Sequence, residues 1–296
     1  MFIKEKITVC IIAYNEEIMI EKCVKTVMNQ KNIDISEILV GVNSSKDNTI
    51  KIVEELANID YRIKVVNSAK GKPNAWNELN KVAKNNIRIF MDGDCWLKDN
   101  SIYNLYTDWN NEIIIGGTLK YNVDNVSLLS KIVHFPNILH SNYNQVCGAL
   151  YLIDYERLKS QMLKKNFHYM PYDIIADDKW IVLVAENVNI SRSSIVITNA
   201  CSISDQILRN KRFYIANQQI RNNYSQLCKI NFKNNTIINK YKLFCSLTLR
   251  NKILYILILP MKKVINKYIS IKSKKLAKEE RCKNIIWDKI ESSRKV

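Results

Sequence analysis

The first half of the chain switches between two hydrophobic periods. Residues 7–13, ITVCIIA, form a short and almost unbroken apolar run, the pattern of a strand buried on both faces. Over 16–30 the period lengthens. Ile20, Val24 and Val27 fall on one helical face, and Glu16 and Glu17 suit the positive N-terminal end of a helix. The alternation continues with strands at 37–42, 62–66 and 87–91. Helices lie between them at 47–57 and 73–84, the second opening on Pro73. Strand–helix alternation with short connections predicts a mostly parallel central sheet flanked by helices. Such sheets take ligands beyond the carboxyl ends of their strands, so the loops after Ala13, Val42, Val66 and Met91 are the ones to read for chemistry.

After Asp99 the pattern is mixed. Segments 113–119 and 146–153 read as strands, and 154–164 and 174–185 as helices. From about Ser204 the chain reads as mainly helical and basic. There are no internal repeats. The expected organisation is one α/β domain over 1–215, with halves at 1–98 and 99–215, and a basic helical region over 216–296.

Composition narrows the class. With 296 residues, 47% hydrophobic and 25% charged, the chain is not largely disordered, collagen-like or of low complexity. Six Gly are few for an all-β protein built on tight turns. The net charge of +17 is unevenly placed: residues 206–296 hold 22 Lys and Arg against 4 Asp and Glu, and residues 1–205 hold 23 against 24. Nucleic-acid binding therefore does not follow from the total. The basic region reads either as a solvated tail or as one that meets an anionic surface, lipid head groups or a polyanion.

The eight Cys have no CxxC spacing, and His134, His140 and His168 complete no zinc set, which argues against a structural zinc site or a disulfide framework. That usage and the lack of a secretory leader pattern predict a reducing, cytoplasmic setting. No run reaches the ~18–20 apolar residues of a membrane-spanning helix. The longest, ILYILILPM at 253–261, sits between Arg250, Lys252, Lys262 and Lys263. It reads either as a buried helix of a C-terminal bundle or as a helix lying in a membrane interface.

All four strand-end loops are polar. They read Tyr14-Asn15-Glu16-Glu17, then Asn43 to Thr49 (NSSKDNT), then Asn67 to Lys72 (NSAKGK), then Asp92-Gly93-Asp94. Four such loops at one sheet edge describe a site for a polar, anionic ligand. Two carboxylates separated by Gly can converge on one hard cation, and Mg²⁺ or Mn²⁺ is commonly held by one or two carboxylates plus substrate phosphates. Taken alone, a DxD is also a common solvated turn.

With these motifs in order, the chain resembles the family 2 glycosyltransferases, which have the GT-A fold. The segments that carry the resemblance are IIAYNEE (11–17), NSSKDNT (43–49), GKPNAWN (71–77), MDGDCWL (91–97), Gly148 within QVCGALYL and ADDKW (176–180). They cover roughly residues 5–215. The resemblance implies transfer of a sugar, with inversion, from a nucleotide diphosphate sugar, a UDP-sugar by default. It also implies a Mn²⁺ or Mg²⁺ cofactor held mainly by Asp94, with Asp92 near the ribose or the metal.

Ala13, Tyr14, Asn15, Glu16, Asn43 and Gly93 fall in the donor-side segments, Gly148 on the acceptor side. Asp178 takes the position of the base for the acceptor hydroxyl, and Asp177 that of a residue that positions or polarises it. The residues alone read equally as an Asp-rich first helical turn. Lys72 lies in the donor segment, although Lys70 and Lys72 by themselves read as solvated loop lysines. Arg209 and Arg212 fall where the family places a cation for the diphosphate, or else on a basic helix face.

The chain departs from the family pattern in three places. Val42-Asn43 replaces an acidic residue at the end of the second strand, Asp-Asp replaces Glu-Asp in the acidic pair, and the family's Gln-x-x-Arg-Trp-like segment is matched only loosely, by 206–209 or by 209–213 with Arg212 as the cation. The expected setting is bacterial cell-surface or extracellular polysaccharide synthesis, on a saccharide or lipid-linked acceptor, with peripheral contact at the inner membrane face. Three rivals stand beside it. One is a transferase whose acceptor is a peptide or protein. Another is a non-catalytic polyanion-binding protein that uses the basic region. A nucleotidyltransferase would need a Gly- and Arg-rich loop that ITVCIIAYNEE lacks.

Overall fold

The computed structural model describes residues 3–135, 146–229, 245 and 247–279. His140, and residues 230–244, 246 and 280–296 of the expected basic region, lie outside the described residues. The strands are β1 (Ile3–Ala13), β2 (Ile33–Asn43), β3 (Ile63–Ser68), β4 (Ile87–Asp92), β5 (Cys95–Leu97), β6 (Ile114–Asn122), β7 (Leu150–Asp154) and β8 (Val188–Asn199). They form a single sheet in the order β3-β2-β1-β4-β7-β6-β8-β5. The helices are α1 (Ile20–Met28), α2 (Thr49–Ala57), α3 (Lys72–Val82), α4 (Ser101–Thr107), α5 (Leu128–His134), α6 (Tyr155–Lys164), α7 (Asp177–Ala185), α8 (Ile203–Asn223) and α9 (Leu249–Glu279).

The first four of these strands are parallel, β1 pairing with β2 and β4, and β2 with β3. β7 runs against both β4 and β6, and β8 is parallel to β6. β6 and β8 therefore point the same way as β1–β4, and only β5 and β7 run against them. The carboxyl ends of six strands gather at one edge. There the register sets Ala13 beside Val42, Ile12 beside Asp92, and Asn43 beside Ser68.

Strand side chains alternate between the two faces, and each face has its own core. Val9, Ile11 and Ala13 of β1, with Ile89 and Met91 of β4, pack under α1, α2 and α4. Cys10 and Ile12 of β1, Leu39 of β2 and Phe90 of β4 pack under α3, α6 and α7. Trp76, Phe90 and Tyr151 stack in sequence at centroid spacings of 5.7 and 5.5 Å in the second core. Gly41 is dictated by this packing, because a Cβ there would meet Leu79 Cδ1 at 2.8 Å.

Some elements differ from the pattern-based expectation. The strand expected at 146–153 begins at Leu150, with 146–147 irregular and 148–149 in a turn. β8, β5, α4 and α5 are additional to the elements expected from the pattern; β5 is apolar throughout but only three residues long, and β8 has no continuous apolar signature. β8 is interrupted by Ser191, Arg192, Ser193 and Ser194, where its pairing with β6 shifts register and Ser191 and Ser193 hydroxyls donate to Asp108 Oδ2, each at 2.6 Å. The bundle alternative for 253–261 is overturned. Ile253, Ile256 and Leu257 are each more than half exposed on α9. That helix packs through Ile269, Ser273 and Ala277, with Ser273 Oγ donating to Ile207 O of α8 at 3.0 Å.

Candidate active site

The loops after β1 and β2 are hydrogen-bonded into one unit. Asn15 N–H donates to Ser45 Oγ at 2.9 Å, and Lys46 N–H to Asn15 Oδ1 at 2.7 Å. Glu16 N–H donates to Thr49 Oγ1 at 2.8 Å, and Glu17 N–H to Asp47 Oδ2 at 3.1 Å. Asp47 Oδ1 in turn accepts the Thr49 backbone N–H and hydroxyl, at 3.1 and 2.5 Å, so helix α2 starts at Thr49 rather than at 47. The third loop is fastened to the second. Gly71, in a left-handed conformation at φ +120°, gives its N–H to Asn43 Oδ1 at 3.2 Å.

This frame surrounds a cleft of about 310 Å³ at the strand-end edge. Tyr14, Glu16, Asn43, Lys72, Asp92, Gly93, Asp94, Gly148, Asp177, Asp178, Arg209 and Arg212 all line it. Two sequence-predicted positions do not. The Ala13 side chain is buried in the core beneath the cleft, and the Asn15 side chain is turned to the second loop. The lining also includes residues that carried no signal of their own in the sequence: Tyr121 and Leu119 of β6, Thr198 of β8, Phe213 of α8 and Cys147. Apart from Cys147, which precedes β7, their common feature is position toward the carboxyl ends of β6 and β8 or on α8. An unclear strand pattern hid it.

Lys72 lies at the centre of the charged groups. Its Nζ is 2.7 Å from Asp92 Oδ1 and 3.2 Å from Asp177 Oδ2. One cation thus ties the DGD loop of the first half to the acidic pair of the second, and its solvated-loop reading is overturned. Burial works against the charge on this ammonium. Asp177, Asp92 and Asp178 outweigh burial and hold its pKa well above the usual lysine range. The close approach requires glycine opposite, because a Cβ on Gly148 would come within 2.6 Å of Lys72 Nζ. Lys70 also lines the cleft, its ammonium 5.7 Å from the centre of the Tyr14 ring.

The carboxylates differ in their surroundings. Burial first, with Asp94 and Asp177, outweighs the pull of Lys72 and pushes Asp92 up to about 7. About a third of its side chain meets solvent, which screens part of that shift. Asp94 Oδ1 accepts the Cys95 thiol at 3.3 Å. Asp177 is almost wholly buried, whereas Asp178 is partly open to the cleft. Asp178 Oδ2 accepts Gly148 N–H at 3.3 Å and its Oδ1 accepts Lys179 N–H at 2.7 Å. Burial and then Asp177 raise its pKa, against Lys72 and those two backbone donors. Both Asp stand in the first turn of α7, so the helix-start role and the cleft-facing role coincide. On the far wall, Arg209 Nη1 donates to Tyr121 OH at 3.5 Å.

The donor set fits a hard divalent cation. Asp92 and Asp94 supply carboxylate oxygens close to Asp177, and these neighbouring carboxylates add to burial in raising Asp92. Among the described residues, no three His, Cys, Asp or Glu converge as a complete cage. An ion there would be held by one or two carboxylates and completed by substrate phosphates.

A family model described as glycosyl transferase family 2 matches residues 8–244. Over 129 residues the chain is 29% identical to the glycosyltransferase GlyA of Streptococcus pneumoniae serotype 4. That match takes in 41% of this chain and 18% of GlyA, so the chain spans less than a fifth of that relative. Among solved structures, the mannosyltransferase PcManGT from Pyrobaculum calidifontis, in complex with GDP-Man and Mn²⁺, is similar with a TM-score of 0.54 at 14% identity, over 94% of this chain and 76% of that one. TarS of S. aureus, in complex with UDP-GlcNAc, is similar with a TM-score of 0.51 at 14% identity, over 93% and 91%. At such identities the likeness is one of fold, the GT-A fold.

Proposed function

The chain belongs to glycosyl transferase family 2 and is a glycosyltransferase, and from that premise we propose a metal-dependent, inverting transfer of a sugar from a nucleotide diphosphate sugar to an acceptor hydroxyl. One observation carries this reading: Lys72 bridges Asp92 and Asp177, so the donor-side and acceptor-side carboxylates share one cleft. A UDP-sugar is the default donor. The fold neighbours crystallised with UDP-GlcNAc and with GDP-Man support a nucleotide-sugar donor in general.

In this mechanism Asp178 takes the proton of the acceptor hydroxyl. The acceptor oxygen bonds to the anomeric carbon on the face opposite the diphosphate, and the carbon–diphosphate bond breaks. Asp178 suits the task because it is open to the cleft and burial has raised its affinity for a proton. Gly148 N–H fixes one of its oxygens, while Asp177 is held away by Lys72. Arg209 and Arg212 face the departing diphosphate, and Tyr14 and Asn43 lie where the nucleoside packs. Mn²⁺ or Mg²⁺, held by Asp94 and Asp92, supplies Lewis-acid neutralisation of the charge on the diphosphate.

The acceptor we infer is a saccharide or a lipid-linked saccharide of bacterial surface or extracellular polysaccharide synthesis, met on the cytoplasmic side. The test is release of nucleoside diphosphate from UDP-, GDP-, dTDP- and CMP-sugars with Mn²⁺ or EDTA, on the wild type and Asp94→Ala. Slow turnover of one donor, abolished by EDTA and by the substitution, is the expected result. Turnover indifferent to both would overturn the metal-dependent mechanism. A flat panel together with no thermal shift from any donor would remove the donor site.

A further inference from the structure

Helix α9 has two opposed faces. Ile269, Ser273 and Ala277 are buried against α8. At 3.6 residues per turn, the opposite face carries Ile253, Ile256, Leu257, Val264, Tyr268 and Ile271, every one of them more than half exposed, Val264 at 70%. Scattered exposed apolar residues are ordinary, but a continuous stripe along one helix marks an interaction surface. α5, which packs on α9, carries two more exposed leucines, Leu128 at 72% and Leu129 at 52%. α5 is tied to α9 where Lys262 Nζ donates to Phe135 O and the Phe135 and Tyr255 rings meet at 5.8 Å.

Charge identifies what this face meets. Residues 249–279 hold nine Lys and Arg and one acidic residue, Glu279. No described helix is long and apolar enough to cross a membrane. A second copy of the same face would set nine like charges against nine, which disfavours self-association. A bilayer with anionic head groups instead satisfies both features. Its apolar boundary takes the Ile and Leu stripe, and its head groups take the lysines.

We propose that the outward face of α9, with Leu128 and Leu129, lies in the plane of an anionic lipid surface as an interfacial helix. The orientation follows from contacts already described. α5 ends at His134, whose ring lies 4.2 Å from that of Tyr121, and Tyr121 lines the cleft. Docking on that face sets the lipid across α9 from α8, the helix whose Arg209 meets Tyr121 at the cleft, and so on the side of the molecule where a lipid-linked acceptor would stand. This last step rests on the transferase reading, and the docking does not.

The test is vesicle flotation of the full chain with phosphatidylcholine alone and with about 30% phosphatidylglycerol, alongside donor-induced thermal shift on the same samples. Binding is expected on the anionic vesicles and should weaken as salt rises. Ile256→Glu with Leu257→Glu should reduce it about tenfold or more with no change in melting temperature. Lys263→Gln with Lys267→Gln and Lys274→Gln should reduce it too, and only on anionic vesicles. No binding at low salt would overturn the proposal, as would equal binding by the wild type and the Glu pair. So would a wild-type dimer that the Glu pair splits without any vesicle binding. Vesicle binding with no donor shift would leave the docking standing and count against the transferase reading alone.

Discussion

Strands β1–β4 and helix α9 are built from the same apolar residue types and place them in opposite environments. Ile11, Val40 and Ile89 are fully buried between the sheet and its helices, whereas Ile256, Leu257 and Val264 face outward. Charge follows the same division. In the cleft, each of the four Asp is met by a lysine, a backbone donor or a thiol, and burial with the neighbouring carboxylates raises the proton affinity of Asp92 and Asp178. On α9 the lysines stand beside exposed apolar side chains with one acidic residue among them. One region has its counter-groups within the chain, and the other calls for them outside it.

The strongest way to break this comparison is at the cleft. Asp178→Asn keeps shape and removes the proton acceptor. Turnover should fall by about 10²–10⁴-fold, the usual worth of general-base catalysis, with donor affinity little changed. Steady-state kinetics with and without the substitution decides it. A loss confined to KM would assign Asp178 to binding instead.

A matched pair of truncations probes the two environments directly. Ile89→Ala, in the core between β4 and α1, should cost about 2–5 kcal/mol of unfolding free energy. Leu257→Ala, on the outward face of α9, should change it by no more than about 0.5 kcal/mol. Denaturant titration of both variants measures the difference. Equal costs would mean that α9's outward face is packed in solution.

The smallest effect is read by pH at the boundary between the regions. His134 is buried beside Tyr121. Burial first, then Arg209 and Lys262, hold its pKa down to about 4. The unfolded chain takes up a proton near the ordinary histidine value of about 6.5, and the folded chain does not. Stability is thus fully present above about 6.5 and is lost as pH falls toward 4, by up to about 3 kcal/mol. His134→Gln should flatten that window when unfolding free energy is followed from pH 7 to 4. An unchanged slope would place the proton uptake elsewhere.

Much of the donor side was legible from local pattern. The apolar runs ITVCIIA and RIFM are near-continuous because both faces of β1 and β4 are covered, and the polar loops that follow them stand at the strand-end edge. The acceptor side was less so. β8 breaks its apolar pattern with four polar residues whose purpose, binding Asp108 and shifting register, exists only once β6 and α4 are beside it. Segment 146–149 read as strand because its residues are mostly apolar, but in the fold Gly148 lies against Lys72 and gives its N–H to Asp178 instead of pairing in the sheet.

The sequence by itself determined the order of strands and helices over 7–91, the six ordered motifs, and the concentration of charge over 206–296. Those depend on period, residue type and spacing along the chain. Tertiary structure decided how the groups were used. Lys72 became an ion-paired bridge because Asp92 and Asp177, 85 residues apart in sequence, close on it from two sides. Ala13 and Asn15 were turned away from the cleft, and Tyr121 and Phe213 were brought into it. The segment at 253–261 has one composition under either of its two readings. Only the face that α9 gives to α8 shows which side remains exposed. Composition fixes what a residue can bind, but proximity and desolvation, which fix what it does bind, arise from contacts between distant parts of the chain.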